Sequence, residues 1–313
     1  MKKNSFSTDF IDRASAERIN TNWVETQLKN STTKIIPVCQ TRVFCKEDAH
    51  QQPVLLSLKD FDKYVDQPEA FIFLGLVNNQ AYFAKEINST ESAEKLSKIY
   101  NGRFFEFRQV VPLLSYEDYT LQALARFMII WHSRNTYCGK CGLETNSLEG
   151  GNVRICSNES CKENFYPSMD PAVIVLVTSG DKCLLGRQSP WPKNMYSTIA
   201  GFVEPGENLE DAVYREVEEE TGIRVESIQY CSSQPWLFPS SLMLGFYAKA
   251  INTDIDNTIN ELDDVRWFTR KEIKENLEKG LMKMPMKVSI AYTLIKSWYE
   301  QGNLGKFESL IQL

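Results

Sequence analysis

The sequence contains no long apolar run. The longest, FMIIW and AVIVLV, fall far short of the ~20 residues that a membrane-spanning helix needs. It also lacks an excess of positive charge: 35 Lys and Arg stand against 41 Asp and Glu, a net charge of −6 with a pI near 5.3. That balance argues against broad nucleic-acid binding by phosphate neutralisation, which needs a clustered basic face. It leaves room for one small phosphorylated ligand. The opening MKKNSFSTDFIDRASAERIN is briefly basic but has no apolar centre, so no secretory signal is expected. Internal repeats and low-complexity segments are missing too. These absences together predict a soluble, cytoplasmic protein. What is present, 313 residues of which 42% are hydrophobic and 24% charged, suits a chain with a buried core. At roughly 150 residues per domain, that length allows two domains, or one with an appendage.

Cysteine is plentiful and uneven. Of the eight, Cys138, Cys141, Cys156 and Cys161 crowd together, while Cys39, Cys45, Cys183 and Cys231 are scattered. A secreted disulfide framework would spread its cysteines through a shorter chain. A cluster in a reducing compartment reads as a metal site. YCGKCG and ICSNESC supply one pair at a two-residue gap and one at a four-residue gap, with fourteen residues between. Zinc takes four such sulfurs at about 2.3 Å in a tetrahedron. Gly139 and Gly142 free the backbone for a tight knuckle, and Gly150 and Gly151 would reverse the chain between the pairs. The four-residue gap makes Cys161 the loosest fit. Four thiolates leave zinc no open position, so the expected role of a Zn²⁺ here is structural.

Before the cysteines, KIIPVC, PVLLSL, FIFLGL and QAYFAKEI read as strands, with a hairpin at VNNQ. Residues 117–132 read as a helix with Leu121, Leu124, Phe127, Met128 and Trp131 on one face. His132 at its end is expected to be a helix-terminal residue favoured by the dipole. After the cysteines, PAVIVLV and KCLLGRQ suggest a hairpin around TSGD, and YSTIAGFV a strand running into a loop. ENLEDAVYREVEEETG suggests a helix closed by Gly222. VESIQYCSSQ, LMLGFYAKA and DVRWF read as strands, and EIKENLEKG and KVSIAYTLIKSWYEQG as helices. The expected class is α/β with a mixed sheet.

The helix ENLEDAVYREVEEETG carries Glu216, Glu219 and Glu220 at i, i+3 and i+4, which places three carboxylates on one side. Like charges at that spacing destabilise a bare helix. A solvated acidic face is the commoner reason for such a run. Here Gly201 and Gly206 flank the preceding loop and allow close approach of backbone to a metal or phosphate. Hard oxygen ligands at this density suit Mg²⁺ or Mn²⁺.

Residues 201–223 resemble the Nudix hydrolase signature, G-x5-E-x7-R-E-U-x-E-E-x-G-U, where U is a bulky aliphatic. Gly201, Glu207, Arg215, Glu216, Val217, Glu219, Glu220, Gly222 and Ile223 fill every defined position. The resemblance implies hydrolysis of a nucleoside diphosphate joined to another moiety, with divalent metal on the pyrophosphate. It implies Glu216 and Glu220 as metal ligands and Glu219 as a member of the same catalytic cluster. Glu220 is the first choice for the essential carboxylate. The Ala200 carbonyl and Glu261, in ELDDVRWF, are implied as further ligands. Arg215 and Glu207 are expected to form an orienting pair.

The segment SQPWLFPSSLM, residues 233–243, resembles the SQPWPFPxS motif of zinc-ribbon NADH pyrophosphatases, with Leu237 in place of a proline. Pro235 and Pro239 would stiffen a loop. Trp236 and Phe238 would offer aromatic faces to a dinucleotide, and Gln234, Ser240 and Ser241 polar contacts. The resemblance spans roughly residues 70 to 313. It further implies substrate contacts by Arg108, Tyr166 and Ala291, with Tyr166 able to reach the partner's ligand in a homodimer. The expected order is an α+β domain at 1–132, a zinc ribbon at 133–167 and a Nudix α/β/α sandwich at 168–313. The expected reaction splits NADH or NAD⁺ into nicotinamide mononucleotide and AMP, with removal of NAD caps from RNA as a narrower implication. Two alternatives remain at this stage. One is a Nudix enzyme acting on ADP-ribose or a dinucleoside polyphosphate, and the other is a non-catalytic Nudix ligand sensor or nucleic-acid binder.

Overall fold

The computed structural model describes residues 4–48, 50–64, 71–256, 258 and 261–310. The chain divides into two compact units. One holds Phe6–Ser168 with the short segment Leu237–Ser240; the other holds Met169–Trp236 and Ser241–Leu313 with the chain's first residues through Ser5. The ribbon thus belongs with the N-terminal unit.

In the first unit, helix α1 (Thr21–Lys29) precedes strands β1 (Lys34–Cys39) and β2 (Arg42–Lys46). Helix α2 (Leu58–Tyr64), strands β3 (Ile72–Val77) and β4 (Gln80–Glu86), helix α3 (Thr90–Tyr100) and strand β5 (Gly102–Phe105) follow. The five strands lie in the order β3-β4-β1-β2-β5, antiparallel except for β4 beside β1. Both tight hairpins turn through two residues of positive φ, Gln40–Thr41 and Asn78–Asn79. That backbone twist matches the strands on either side. The second is the hairpin expected at VNNQ. PVLLSL does not form a strand: only isolated bridges at Pro53 and Leu56 join it to the sheet. Its apolar side chains serve the core all the same, with Val54 and Leu56 packed among Ile35, Phe44, Phe73 and Phe83.

Short helix α4 (Phe107–Val110) leads into α5 (Tyr116–Arg134), the helix expected at 117–132. Ser115 caps α5 by accepting from the Asp118 amide. His132 departs from expectation. Its Nε2 lies 2.7 Å from the Gly151 carbonyl and its Nδ1 2.8 Å from Arg154 Nη1. A guanidinium only donates, so Nδ1 accepts and Nε2 carries the hydrogen. Burial, aided by the Arg154 charge, pushes the imidazole down to about 4. The ring is a neutral clamp between α5 and the ribbon rather than a cation at the helix dipole.

The ribbon is a three-stranded antiparallel sheet of β6 (Thr145–Leu148), β7 (Val153–Cys156) and β8 (Asn164–Phe165). Glu149, Gly150 and Gly151 all take positive φ where the chain reverses. A Cβ on Gly150 would come within 2.9 Å of Phe73, so the turn fits β3 only without side chains.

The second unit contains β9 (Asp170–Ser179), β10 (Lys182–Arg187), β11 (Ile199–Phe202), helix α6 (Leu209–Thr221), β12 (Val225–Trp236), β13 (Ser241–Ala250) and β14 (Asp264–Thr269). Helices α7 (Arg270–Glu278) and α8 (Ile290–Glu300) complete it. The sheet runs β12-β13-β9-β10-β14, with β11 also paired to β9. It is mixed, because β13 and β9 are parallel and the other pairs antiparallel. Alternation along β9 builds the sandwich. Val173, Val175 and Val177 pack with Val213 and Val217 of α6, while Ile174 and Leu176 pack with Leu294, Ile295 and Trp298 of α8. This is the expected α/β/α arrangement.

SQPW is strand rather than loop. It closes β12, and only Leu237–Ser240 turns into β13. Pro235 is tolerated because β12 is an edge strand, where a missing N–H leaves no ladder bond open.

Candidate active site

The candidate site grows from strand β11 and helix α6. Asn208 caps α6 by accepting from the Asp211 amide, and Glu210 and Asp211 favour the positive end of its dipole. Gly222, at φ 72°, ends it with its N–H on the Glu218 carbonyl. The capped helix points Glu216 and Glu220 inward, at 8% and 5% exposure, while the Glu219 side chain is 56% exposed. The i, i+3, i+4 set therefore splits: two buried carboxylates one turn apart, and a third on their solvent edge.

Gly201 brings β11 against this pair. A Cβ built there would lie 1.9–2.2 Å from the Glu216 carboxyl atoms, so the carboxylate occupies the space a side chain would need. Ala200, whose carbonyl is the expected backbone ligand, is the preceding residue of β11 and pairs with Ile174.

Arg215 ties the elements together. Its Nε and Nη2 donate to the two Glu207 oxygens at 2.5 and 2.9 Å. Its Nη1 donates to Glu216 at 2.8 Å and Glu219 at 3.1 Å, and Nη2 also donates to the Phe202 carbonyl at 2.8 Å. The bidentate pair with Arg215 holds Glu207 down to about 2. Arg215 thus fixes the loop before α6, the end of β11 and one face of the carboxylate set.

Glu220 is placed differently. Among the described residues no basic group or hydrogen-bond donor faces it. Burial first, then repulsion from Glu216 and Glu261, pushes its carboxyl up to about 8. Glu216 is raised for the same leading reason, and Glu261 bears on it as well. Glu261, exposed in the loop before β14, is thus electrostatically part of the set. A buried acid that faces no basic group among the described residues, with Glu216 and Glu261 bearing on it, supplies hard-oxygen donors, which are not drawn together as closely as the sulfurs of the ribbon. Such donors fit a divalent cation such as Mg²⁺.

In the ribbon, the sulfurs of Cys138, Cys141, Cys156 and Cys161 all lie within 4.8 Å of one another. Cys138 and Cys161 are 3.8 Å apart and Cys141 and Cys156 3.3 Å. A tetrahedron with ~2.3 Å bonds has edges of about 3.8 Å, so the cluster has the size zinc requires. The first knuckle is held by the Cys138 amide on the Leu143 carbonyl and the Gly142 amide on the Cys138 carbonyl. Asn158 shapes the wider second gap. Its amide reaches Cys156 Sγ at 3.4 Å, its carbonyl takes the Cys161 amide, and its side chain takes the Ser160 amide.

The residues expected to touch substrate fall into two groups. Gln234 is fully buried, and its amide is used inside the protein. Nε2 donates to the Val288 and Ser5 carbonyls, and Oε1 accepts the Ile290 amide at 2.7 Å. It caps α8 and has no free group for ribose or phosphate. Leu237, Ser240, Ser241 and Ala291 are also buried. Trp236 and Pro235 are half-buried, and Pro239, Arg108 and Tyr166 are exposed. Phe238 stacks on Phe107 with centroids 5.2 Å apart, and the Arg108 guanidinium lies 4.7 Å from the same ring. Sequence reasoning passed over Phe202. Its ring is 58% exposed although its carbonyl is anchored by Arg215 beside the carboxylates. The signal was available, as an aromatic residue directly after Gly201 in the box.

Comparison with known proteins follows this division. The NUDIX domain family matches residues 169–286, and the NADH pyrophosphatase-like rudimentary NUDIX domain family matches residues 32–131. The chain is similar to the NAD-capped RNA hydrolase NUDT12 of Homo sapiens, 36% identical over 339 residues, which covers 95% of this chain and 73% of that protein. It is similar to the NAD-capped RNA hydrolase of Schizosaccharomyces pombe, 31% identical, covering 94% of this chain and 92% of that one. It is also similar to the mitochondrial NAD(P)H pyrophosphatase NUDT13 of Mus musculus, 40% identical over 64% of this chain and 60% of that one. Similarity thus reaches back beyond residue 70, into the N-terminal sheet. The chain belongs to the Nudix hydrolase family, in the group that joins a NUDIX domain to an NADH pyrophosphatase-like rudimentary one.

Proposed function

We propose that the protein hydrolyses the pyrophosphate bond of NADH and NAD⁺ to AMP and nicotinamide mononucleotide, reduced from NADH and oxidised from NAD⁺, and removes NAD caps from RNA. The observation that carries this reading is the buried carboxylate pair of α6 against Gly201, in a chain with NAD-capped RNA hydrolases among its relatives. Glu216, Glu220, Glu261 and the Ala200 carbonyl would hold Mg²⁺ or Mn²⁺. The bound cation would neutralise the pyrophosphate and lower the pKa of an attacking water. Arg215 orients Glu216 and opposes the upward push of burial on its carboxyl. Glu220, whose carboxyl is pushed up by burial, would be one of the residues that hold the cation, as a carboxylate. Glu219, on the solvent edge, would accept a proton from water. Phe202 and Trp236 offer faces to the planar ends of the dinucleotide.

The same reading gives the ribbon one Zn²⁺ on Cys138, Cys141, Cys156 and Cys161, and with it a reducing, cytoplasmic compartment in which four thiolates persist. It divides the chain into an N-terminal domain at 1–132, a ribbon at 133–167 and a catalytic domain at 168–313. It includes a homodimer, supported by the exposed Tyr137, Leu143 and Tyr166 on the ribbon.

The test is Glu220→Gln, which keeps shape and removes the charge. NADH hydrolysis should fall by at least about a thousandfold, with circular dichroism and zinc content unchanged. Near-wild-type turnover would sink the mechanism. For specificity, Trp236→Ala should narrow the preference for NADH over ADP-ribose, and an unchanged ratio would favour a broader Nudix pyrophosphatase.

A further inference from the structure

A cleft of about 360 Å³ opens in the N-terminal unit between Thr41, Arg108, Arg126, Ile130, Arg134 and the Phe238–Pro239 segment. Three of these residues are arginines and none is acidic. Arg126 is 9% exposed and makes no ion pair among the described residues. Its Nε donates to the Thr41 carbonyl at 2.5 Å and its Nη1 to the Leu237 carbonyl at 3.3 Å. Its plane lies 4.9 Å from Phe107 and 5.8 Å from Phe238. A guanidinium held this way keeps its charge while its geometry is fixed by neutral acceptors and rings. Arg108 stands over the Phe238 ring beside it. Arg134, at the exposed end of α5, makes no hydrogen bond or ion pair with its side chain among the described residues. Glu106, the acid whose charge bears on Arg126, is engaged by Arg42 at 2.7 Å. The result is a concentrated positive site on a protein whose net charge is −6.

We infer that this cleft binds phosphates of the RNA chain that follows an NAD cap. The inference rests on the cap-removal activity proposed above. Three guanidiniums lining one cleft with no acid among them match phosphodiester oxygens, which a guanidinium can meet in pairs. The stacked faces of Phe238 are taken by Phe107 and Arg108, so the site reads backbone charge rather than a base. Phe238 and Pro239, which line the cleft, belong to the turn that directly continues the QPW strand. A phosphate held there is thereby linked through the chain to the strand that ends in Trp236. Three arginines suit a few phosphates, so the chain's acidic balance is compatible with RNA as a substrate.

Arg134 is the residue to change, because it lies outside the proposed hydrolytic machinery and its side chain makes no hydrogen bond or ion pair among the described residues. Binding of a 5′-monophosphorylated RNA of about ten nucleotides is followed by fluorescence anisotropy in wild type, Arg134→Ala, Arg134→Glu and Arg134→Lys. Arg134→Ala should weaken binding several-fold and Arg134→Glu about tenfold or more, while Arg134→Lys should recover most of the loss. The slope of log affinity against log salt should fall by about 0.7 for the lost arginine. In parallel, Arg134→Glu should raise KM for NAD-capped RNA and leave kcat and KM for NADH unchanged. Equal RNA binding by wild type and Arg134→Glu would overturn the inference. So would competition by sub-millimolar inorganic phosphate, which would mark a free-phosphate site. If the wild type fails to hydrolyse NADH, the activity proposed above is wrong, and the binding series still judges the cleft by itself.

Discussion

Gly201 has no room for a side chain, and that follows from one neighbour. Its missing Cβ is where the Glu216 carboxylate sits. Gly201→Ala must push either β11 or Glu216 aside, and β11 is held by its ladder to β9 and by Arg215 on the Phe202 carbonyl. Glu216 should move. We expect kcat/KM for NADH to fall by about a hundredfold, since an ångström of misplacement at a catalytic group costs that much. The thermal midpoint should shift little, and full activity in Gly201→Ala would show that Glu216 is not positioned by this contact. At this scale the sequence was legible where chemistry fixes spacing. Glu216 and Glu220 stand one helical turn apart, and Gly201 leaves room for the first of them, so a fixed spacing reveals all three. Gln234 was not legible. Its burial depends on Val288 and Ile290, more than fifty residues away, and no local pattern announces that partnership.

Helix α5 was found from its apolar period, but its join to the ribbon came only with the structure. His132 links the helix to Gly151 and Arg154, and its clamp requires a neutral ring. The folded imidazole titrates at about 4 against an ordinary value of 6.5. A depressed folded value means that the stabilisation is full above the unfolded pKa and fades as pH falls. The junction should therefore weaken between pH about 6.5 and about 4, by an amount on the order of 3 kcal/mol. His132→Gln keeps a donor toward Gly151 but cannot titrate. Denaturant midpoints across that window should fall less steeply in the variant than in the wild type. Parallel slopes would mean that other groups carry the acid response. Helices α1 and α3 escaped notice for a different reason. Both are largely polar, capped by Asn20 and Ser89, and they bury too narrow a stripe to show against their charged residues. The strand reading of PVLLSL failed because apolar alternation reports burial, and burial here comes without a ladder.

The two units hold different kinds of stability. The catalytic unit has apolar layers on both faces of its sheet, and the N-terminal sheet has its own aromatic core. The ribbon has neither: its strands are four, four and two residues long, and only Cys138, Val153 and Cys156 among its hydrophobic residues are buried. Something other than a core must hold it, and the four sulfurs are the available means. Metal analysis should find one zinc per chain. Its removal by a strong chelator under reducing conditions should abolish amide protection in β6 and β7. The rim at Gly150 and Gly151 should loosen with them, because it is held against β3 and His132 through the ribbon turn. Protection in β9 and β13 should persist, since their neighbours are Val213, Val217, Leu294 and Trp298 rather than the knuckles. NADH hydrolysis need not vanish at once if the carboxylate set stands on the catalytic unit's own core. If β9 lost protection together with β7, the zinc would be holding the whole chain, and the division of stability argued from the two cores would be wrong.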